Sequence, residues 1–597
     1  MEKKTITDRV ESLRVWMRQN GLSAFIFPST DPHSGEYIPD HWMSRQWISG
    51  FNGSAGTAVV TLTDAALWTD SRYFLAAAEQ LEDTPFTLMK LCVEGTPTIS
   101  EWLGSQLEEG TEVGMDGWVN TVKDVLEMEE DLEPYNITLV TSLDPTAELW
   151  KDRPSIPQSP VEMHPIELAG ESASSKIGRI RKKLAEENAD GLIISQLDEI
   201  AWLLNLRGND VHCNPVFVSY VILTNEDCTL FVDGRKISEE VAHYLSSEGV
   251  TTKPYDQIDK ELVAYPYDTV MMDYATSNSQ LCSLLPGEVC ILDHKSPIAP
   301  LKAIKNETEI KGYRSAMLKD GIALVKFLRW LKPAVEAGGQ TEISIDKKLT
   351  SLRAEQPLYR DISFDTIAGY GAHGAIVHYE PTPETDIPVE PKGLLLLDSG
   401  AQYQDGTTDI TRTIALGPLT DEERHDYTLV LRGHIRLAMV KFPSGSSGTQ
   451  LDVCARYAMW QEGINYLHGT GHGVGSYLNV HEGPHQFRMN YMPAPLLANM
   501  TITNEPGIYK TGKHGCRTEN TMLITHFTDG EFGEFLQLEP LTLCPIDTAP
   551  INIDEMQQDE IDYLNRYHKY VCEQIMPHLI DEEDKKWLIE ATAPIHK

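Results

Sequence analysis

Apolar residues recur at helical spacing at Val10, Leu13 and Met17, stop at Gly21, and give way to the unbroken apolar run Ala24-Phe-Ile-Phe. This change of period predicts an amphipathic helix followed by a buried strand. The same order returns with Ile177, Ile180 and Leu184, ahead of Gly191 and Leu192-Ile-Ile. Each copy then reaches a tryptophan and a glycine, Trp47-Ile-Ser-Gly and Trp202-Leu-Leu-Asn-Leu-Arg-Gly. The first copy carries a longer insertion containing Asp31-Pro-His-Ser-Gly-Glu-Tyr. The pattern predicts a tandem pair of α/β domains, each opening as helix, glycine stop, buried strand.

Two proline-rich stretches divide the chain. Pro154, Pro157, Pro160 and Pro165 form the first, and Pro297 and Pro300, before Leu301-Lys-Ala-Ile-Lys-Asn-Glu-Thr-Glu, form the second. Both are expected to resist helix and strand, as linkers do. Domains are accordingly expected at 1–160, 161–303 and 304–597. The third opens with helical periodicity and continues through β-rich stretches separated by Gly-rich turns. After Pro540 a helical stripe returns with Ile561, Leu564, Tyr567, Val571 and Ile575, to pack on this domain or on a second subunit.

A length of 597 residues exceeds one hydrophobic core, and 41% hydrophobic with 23% charged residues is a globular composition. The balance of 50 basic against 89 acidic residues, −39 in all, opposes binding to nucleic acid or anionic membranes. Nine cysteines without a CxxC pair indicate neither a disulfide framework nor a thiolate zinc site. The N-terminus lacks the apolar run of a signal peptide and no long apolar span follows, so a cytoplasmic location is expected.

The chemistry concentrates between Asp365 and Glu519. Leu394-Leu-Leu-Leu-Asp398 reads as a buried strand ending on an acid, followed by a turn and the Thr-rich strand carrying Asp409. Centred near Tyr403 and Gln404, this hairpin would set Asp398 opposite Asp409, at roughly 4.5 to 5.5 Å between Cβ atoms. Asp405-Gly406 argues for a shifted centre, and the register stays open. In His468-Gly-Thr-Gly-His472-Gly-Val-Gly-Ser-Tyr-Leu-Asn-Val-His481-Glu-Gly-Pro-His485 the glycines let imidazoles approach a shared centre. They also make a helical zinc pair at His468 and His472 improbable. Asn504-Glu505-Pro506-Gly507 ends a strand on a glutamate, and Cys516-Arg517-Thr518-Glu519-Asn520 enters another, with Arg517 and Glu519 on one face. Four acids converging in a core would repel one another without a cation. Oxygen-rich ligation with one imidazole suits Mn²⁺, with Co²⁺, Fe²⁺ or Zn²⁺ as alternatives.

These motifs resemble those of the pita-bread metallopeptidases, in particular the three-domain Xaa-Pro aminopeptidases. Ser49-Gly-Phe-Asn-Gly-Ser-Ala-Gly-Thr and Trp68-Thr-Asp-Ser-Arg-Tyr-Phe extend the resemblance into the first domain. It implies two creatinase-like α/β domains followed by a pita-bread catalytic domain, two divalent cations per subunit, and a homodimer. It further implies Asp398 on one metal, Asp409 and Glu519 bridging both, and His472 with Glu505 completing the other. A water held between metals roughly 3.5 to 4 Å apart would be the nucleophile, with Glu505 as proton carrier. His378 and His481 would contact substrate and the oxyanion, and Val480, Tyr509 and Arg517 would form the proline pocket. Substrates would be peptides with proline second. The departures are Cys516 and Thr518 beside Arg517, and Glu380 after His378-Tyr379. Prolidase, with the same ligands but dipeptide substrates, and a noncatalytic module binding basic proteins are the alternatives.

Overall fold

The computed structural model describes residues 3–597 and divides into two compact units. The first comprises residues up to His164 together with Glu171–Ile298, and the second Pro165–Gly170 with Ala299–Lys597.

The first unit holds two six-stranded sheets. In one, β1 (Leu22–Phe27), β2 (Thr57–Thr61), β3 (Ala65–Thr69), β4 (Phe86–Lys90), β5 (Glu112–Met115) and β6 (Thr138–Val140) lie in the order β4-β3-β2-β1-β5-β6. In the other, β7 (Gly191–Ile194), β8 (Ser219–Thr224), β9 (Cys228–Val232), β10 (Thr251–Lys253), β11 (Thr269–Met272) and β12 (Cys290–Asp293) lie in the order β10-β9-β8-β7-β11-β12. Strand for strand the orders are the same. So are the directions, antiparallel for the three strands from β1 to β3 and from β7 to β9, parallel elsewhere. The tandem α/β reading of the apolar pattern is thus borne out.

The opening helices are Lys3–Gln19, which buries Val10, Leu13 and Met17, and Ala173–Glu186, which buries Ile177, Ile180 and Leu184. Gly21 ends the first turn region at φ +76°. In the second copy the left-handed residue is Asn188 at φ 55°, and the expected glycine stop, Gly191, instead begins β7. Asparagine tolerates that conformation, so the stop sits three residues earlier.

In the second unit the expected long helix is Glu307–Ala337, capped by Asn306, which accepts from the backbone of Thr308 and Glu309. Pro300 does not break structure as expected but sits in the first turn of a short helix, Ile298–Ala303, where its missing N–H has no partner to lose. Around the site stand a three-stranded sheet of Ile367–Tyr370, Leu394–Ser399 and Ile410–Ala415, and a four-stranded sheet containing Thr501–Asn504, Asn520–Gly530, Gly533–Pro540 and Lys441–Pro443. Two hairpins, Gly471–Gly473 with Glu482–Phe487 and Gly507–Lys510 with His514–Arg517, complete the frame.

The C-terminal stripe lies on the helix Gln558–Ile575. Ile561, Leu564, Tyr567, Val571 and Ile575 are all buried against the helix Asp421–Ala438 and neighbouring segments of the same unit. The alternative of a second subunit covering this face is thereby excluded. Among the described residues no helix is long and apolar enough to cross a membrane.

Candidate metal centre

The buried run Leu394–Ser399 pairs on one side with Ile367–Tyr370 and on the other with Ile410–Ala415. Its hairpin closes on Gln404 and Asp405 between the paired residues Tyr403 and Gly406. Asp398 therefore stands opposite Thr411, and the direct Asp398–Asp409 pair expected from a centre at Tyr403 and Gln404 is not formed. The loop is pinned where it is by Lys319, whose Nζ donates to Asp405 Oδ1 at 2.5 Å. Asp409 lies just before the third strand, two positions from Thr411, and so on the same face as Asp398.

Glu505 and Glu519 are set by an interruption. Asn504 pairs with Asn520, and Gly507 pairs with Arg517, in one continuous register. Between these pairs the ladder opens, with Glu505-Pro506 on one strand facing Thr518-Glu519 on the other. Pro506 has no N–H to carry the ladder onward, which is why it opens at this point. Arg517 and Glu519 consequently do not share one strand: Arg517 ends its strand and Glu519 sits in the gap. Glu505 N donates to Thr470 O, and His472 N to Thr503 Oγ1, which lays the strand bearing His472 alongside Thr501–Asn504.

The result is a convergence of ligand-type atoms. Asp409, His472 and Glu519 each present one within 4.8 Å of the others. His472 Nε2 is 3.5 Å from Asp409 Oδ2 and 3.5 Å from Glu505 Oε1. Its Nδ1 lies 2.8 Å from Gly473 O, so Nδ1 carries the proton and the Nε2 lone pair faces the carboxylates. Burial, then the charges of Asp398 and Glu505, push the Asp409 carboxyl well above the usual range. Burial, then Asp409, Glu505 and Asp398, do the same to Glu519, and burial raises Glu505 to about 7. Asp398 Oδ1 is buried without a hydrogen-bond partner. A set of mutually repelling buried acids with an orphaned oxygen and an inward imidazole fits divalent cations.

Around these groups, Arg517 donates to Asp398 Oδ2 at 2.7 Å, to the Tyr509 hydroxyl at 2.7 Å and to Thr411 Oγ1 at 3.1 Å. Thr411 in turn donates to Glu519 Oε2 at 2.7 Å. The ring of His481 meets that of His472 edge-on at 4.3 Å, and Val480 beside it is fully buried. His378 is half-buried in a turn after the segment Gly371–Ala375. Cys516 and Thr518 are buried, whereas Glu380 is exposed. Of the remaining histidines, His468 Nε2 contacts the Tyr509 hydroxyl at 2.8 Å and His485 is buried with Nε2 at 2.7 Å from Thr501 O.

Two residues escaped the sequence reading. Thr411 could have been found by alternation, since 409, 411 and 413 share a face. Arg412, on the opposite face, donates to Glu519 O at 2.5 Å, Cys544 O at 2.8 Å, Pro545 O at 3.0 Å and the Tyr567 hydroxyl at 3.1 Å. No local signal marks such a tie.

Known proteins resemble this chain over essentially its whole length. Two profiles described as Creatinase/Prolidase N-terminal domain match residues 9–147 and 152–309, that of metallopeptidase family M24 matches 311–526, and that of the C-terminal region of peptidase M24 matches 534–595. Aminopeptidase P1 of Arabidopsis thaliana is 38% identical, with 99% of both chains covered. The chain belongs to the M24 metallopeptidases. Within this family Xaa-Pro aminopeptidase 1 of Dictyostelium discoideum is 39% identical over 100% of this chain and 97% of its own. The solved X-prolyl aminopeptidase of Caenorhabditis elegans, described as a cytosolic enzyme with a di-nuclear active site, superposes with a TM-score of 0.95 at 34% identity, covering both chains fully. A Xaa-Pro dipeptidase of Bacillus anthracis, 23% identical with a TM-score of 0.52 over 63% of this chain, shares the fold. The fold class is α/β, two creatinase-type domains followed by a pita-bread domain.

Proposed function

We propose that this chain is an Xaa-Pro aminopeptidase that releases an N-terminal residue preceding proline, using two divalent cations held by Asp398, Asp409, His472, Glu505 and Glu519. The observation that carries this reading is the convergence of Asp409, His472 and Glu519, joined electrostatically by Asp398 and Glu505, in an otherwise withdrawn site. When bound, such a pair of cations acidifies water and polarises the scissile carbonyl. Glu505 would take a proton from water and return it to the leaving prolyl nitrogen. His378 and His481 stabilise the charge on the carbonyl oxygen. Val480, Tyr509 and Arg517 shape the space for the proline ring, which lacks an N–H and excludes ordinary peptides by fit. Oxygen-rich ligation favours Mn²⁺.

We read the location as cytoplasmic, in keeping with the description of the nematode relative. A homodimer is our reading of the exposed face of the helix Gly448–Trp460, where Val453, Tyr457 and Trp460 recur at helical spacing with Leu467 beyond. Light scattering on Trp460→Asp should give half the mass of the parent.

The functional test is hydrolysis of Arg-Pro-Pro, Ala-Pro and Arg-Ala-Ala by metal-stripped protein with and without Mn²⁺. Metal-dependent release of arginine from the first alone supports the reading. Cleavage of Ala-Pro alone makes the enzyme a prolidase, and no cleavage with any divalent metal removes the enzymatic reading.

A further inference from the structure

One buried carboxylate outside the ligand set gathers the segment that carries His378. Glu342 opens the helix Glu342–Ala354 and is wholly buried. Its Oε1 accepts from the backbone N–H of Tyr370 at 2.8 Å, its two oxygens lie 2.9 and 3.0 Å from His373 Nδ1, and Oε2 accepts from the Tyr379 hydroxyl at 2.8 Å. All three partners belong to residues 370–379, and they lie on both sides of His378. Tyr379 packs against His373 with ring centroids 4.3 Å apart and planes tilted by 37°, and reaches Thr385 Oγ1 at 3.2 Å, which extends the anchorage past the turn.

The segment has no regular ladder of its own to hold it. The strand Ile367–Tyr370, in register with Asp398 through Ile367, ends at Tyr370, and the backbone then turns through Gly371–Ala375. A withdrawn carboxylate accepting from three donors is a rigid node, because leaving any of them unmatched in a dry interior costs a desolvation penalty. Tyr379 is drawn toward the Glu342 helix at one end of the turn and Tyr370 at the other. His378 between them inherits a fixed position.

We infer that Glu342 is a positioning residue for the reaction: by clamping Tyr370, His373 and Tyr379 it fixes His378 where the carbonyl oxygen of the substrate gains charge. It touches neither substrate nor metal, and acts only through His378. This rests on the role given to His378 above. The chemistry predicts a loss in turnover rather than in binding, because an oxyanion contact matters most in the transition state.

The test is a double-mutant cycle with His378→Ala and Glu342→Gln in the full-length, Mn²⁺-loaded enzyme. For each variant kcat and KM on Arg-Pro-Pro are read, together with bound metal by mass spectrometry. Glu342→Gln should lower kcat by roughly 10 to 100-fold with KM and metal content near the parent's. In the His378→Ala background it should lower kcat no further, since both changes remove one function. Tyr379→Phe removes a single donor and keeps the carboxylate, and it serves should Glu342→Gln fail to fold. It should give a smaller loss, likewise silent without His378. Parental kcat in Glu342→Gln, multiplicative losses in the double variant, or depleted metal would each overturn the inference while leaving the functional reading intact. Full activity in His378→Ala would remove the role of His378 itself, and this inference with it.

Discussion

Arg517 Nη2 donates to Asp398 Oδ2 at 2.7 Å, with both side chains almost wholly withdrawn from solvent. The same guanidinium reaches Tyr509 and Thr411, so one cation holds a ligand-type acid, a wall of the substrate space and the threonine that supports Glu519. Directed donors, not charge alone, do this.

Arg517→Lys should therefore fail to rescue function. We expect Arg517→Gln to lower kcat/KM about 100-fold or more, with Lys recovering little, because a single ammonium cannot make three divergent contacts. Removing the cation also strands Asp398, and unfolding of the metal-free protein in urea should register a loss of roughly 3–5 kcal/mol. Parental kinetics in the lysine variant would sink this account.

Neutralising a repelling acid should act oppositely on stability and activity. Glu519→Gln should reduce turnover by roughly three powers of ten, about 4 kcal/mol of barrier. Yet it should raise, or leave unchanged, the melting temperature in EDTA, since Glu519 is strained upward by burial and by Asp409. Adding Mn²⁺ at about 100 times its Kd should stabilise the parent by about 2.7 kcal/mol. The variant should gain much less, and scanning fluorimetry with and without metal reads both.

Acid should unfold the metal-loaded protein early. Burial lowers His33 to about 3, His434 to about 3 and His485 to about 4. Folded values depressed below the unfolded value near 6.5 mean that these groups' stabilisation is present above that pH. It is lost as pH falls toward the folded values, at about 1.4 kcal/mol per group per unit. Without metal, the raised Glu505 has the reverse sign and loses its contribution as pH rises toward about 7. Melting temperatures of the loaded protein should fall steeply between pH 6.5 and pH 5; a flat profile would contradict the assignment of neutral, buried rings.

Gly515 should not tolerate a methyl group. A Cβ there would lie 1.7 Å from Gly374 O, in backbone that cannot yield as a side chain would. Gly374 belongs to the segment leading to His378, so Gly515→Ala should lower kcat and destabilise the protein together, by about 1–3 kcal/mol. Equal melting temperatures for the two proteins would show that the strands separate cheaply.

The fold was legible where period and burial coincide. The helix–strand openings of both α/β domains follow from apolar spacing, because each buries one face against its own sheet. The five ligand-type residues were legible as residue types in order, but their geometry was not. Asp398 faces Thr411 because the turn closes one residue later than a centre at Tyr403 and Gln404 would give, which shifts its partner by two, and Lys319, remote in sequence, holds it there. The opening of the ladder opposite Pro506 depends on a pairing of Asn504 with Asn520 that no local pattern reveals. Glu342 reads in sequence as an ordinary first-turn helix acid and becomes a node only when Tyr370, His373 and Tyr379 fold onto it.

Arg412 joins the backbone of Glu519 to Cys544, Pro545 and Tyr567. The chain beyond Pro540 is thus part of the metal centre's scaffolding, although it supplies none of its proposed ligands. A polypeptide shortened at that point would retain every proposed ligand in its sequence yet lose the brace behind one of them. Limited proteolysis within the tail would silence the enzyme from a distance, and any redesign that transplants the catalytic domain must carry the tail along.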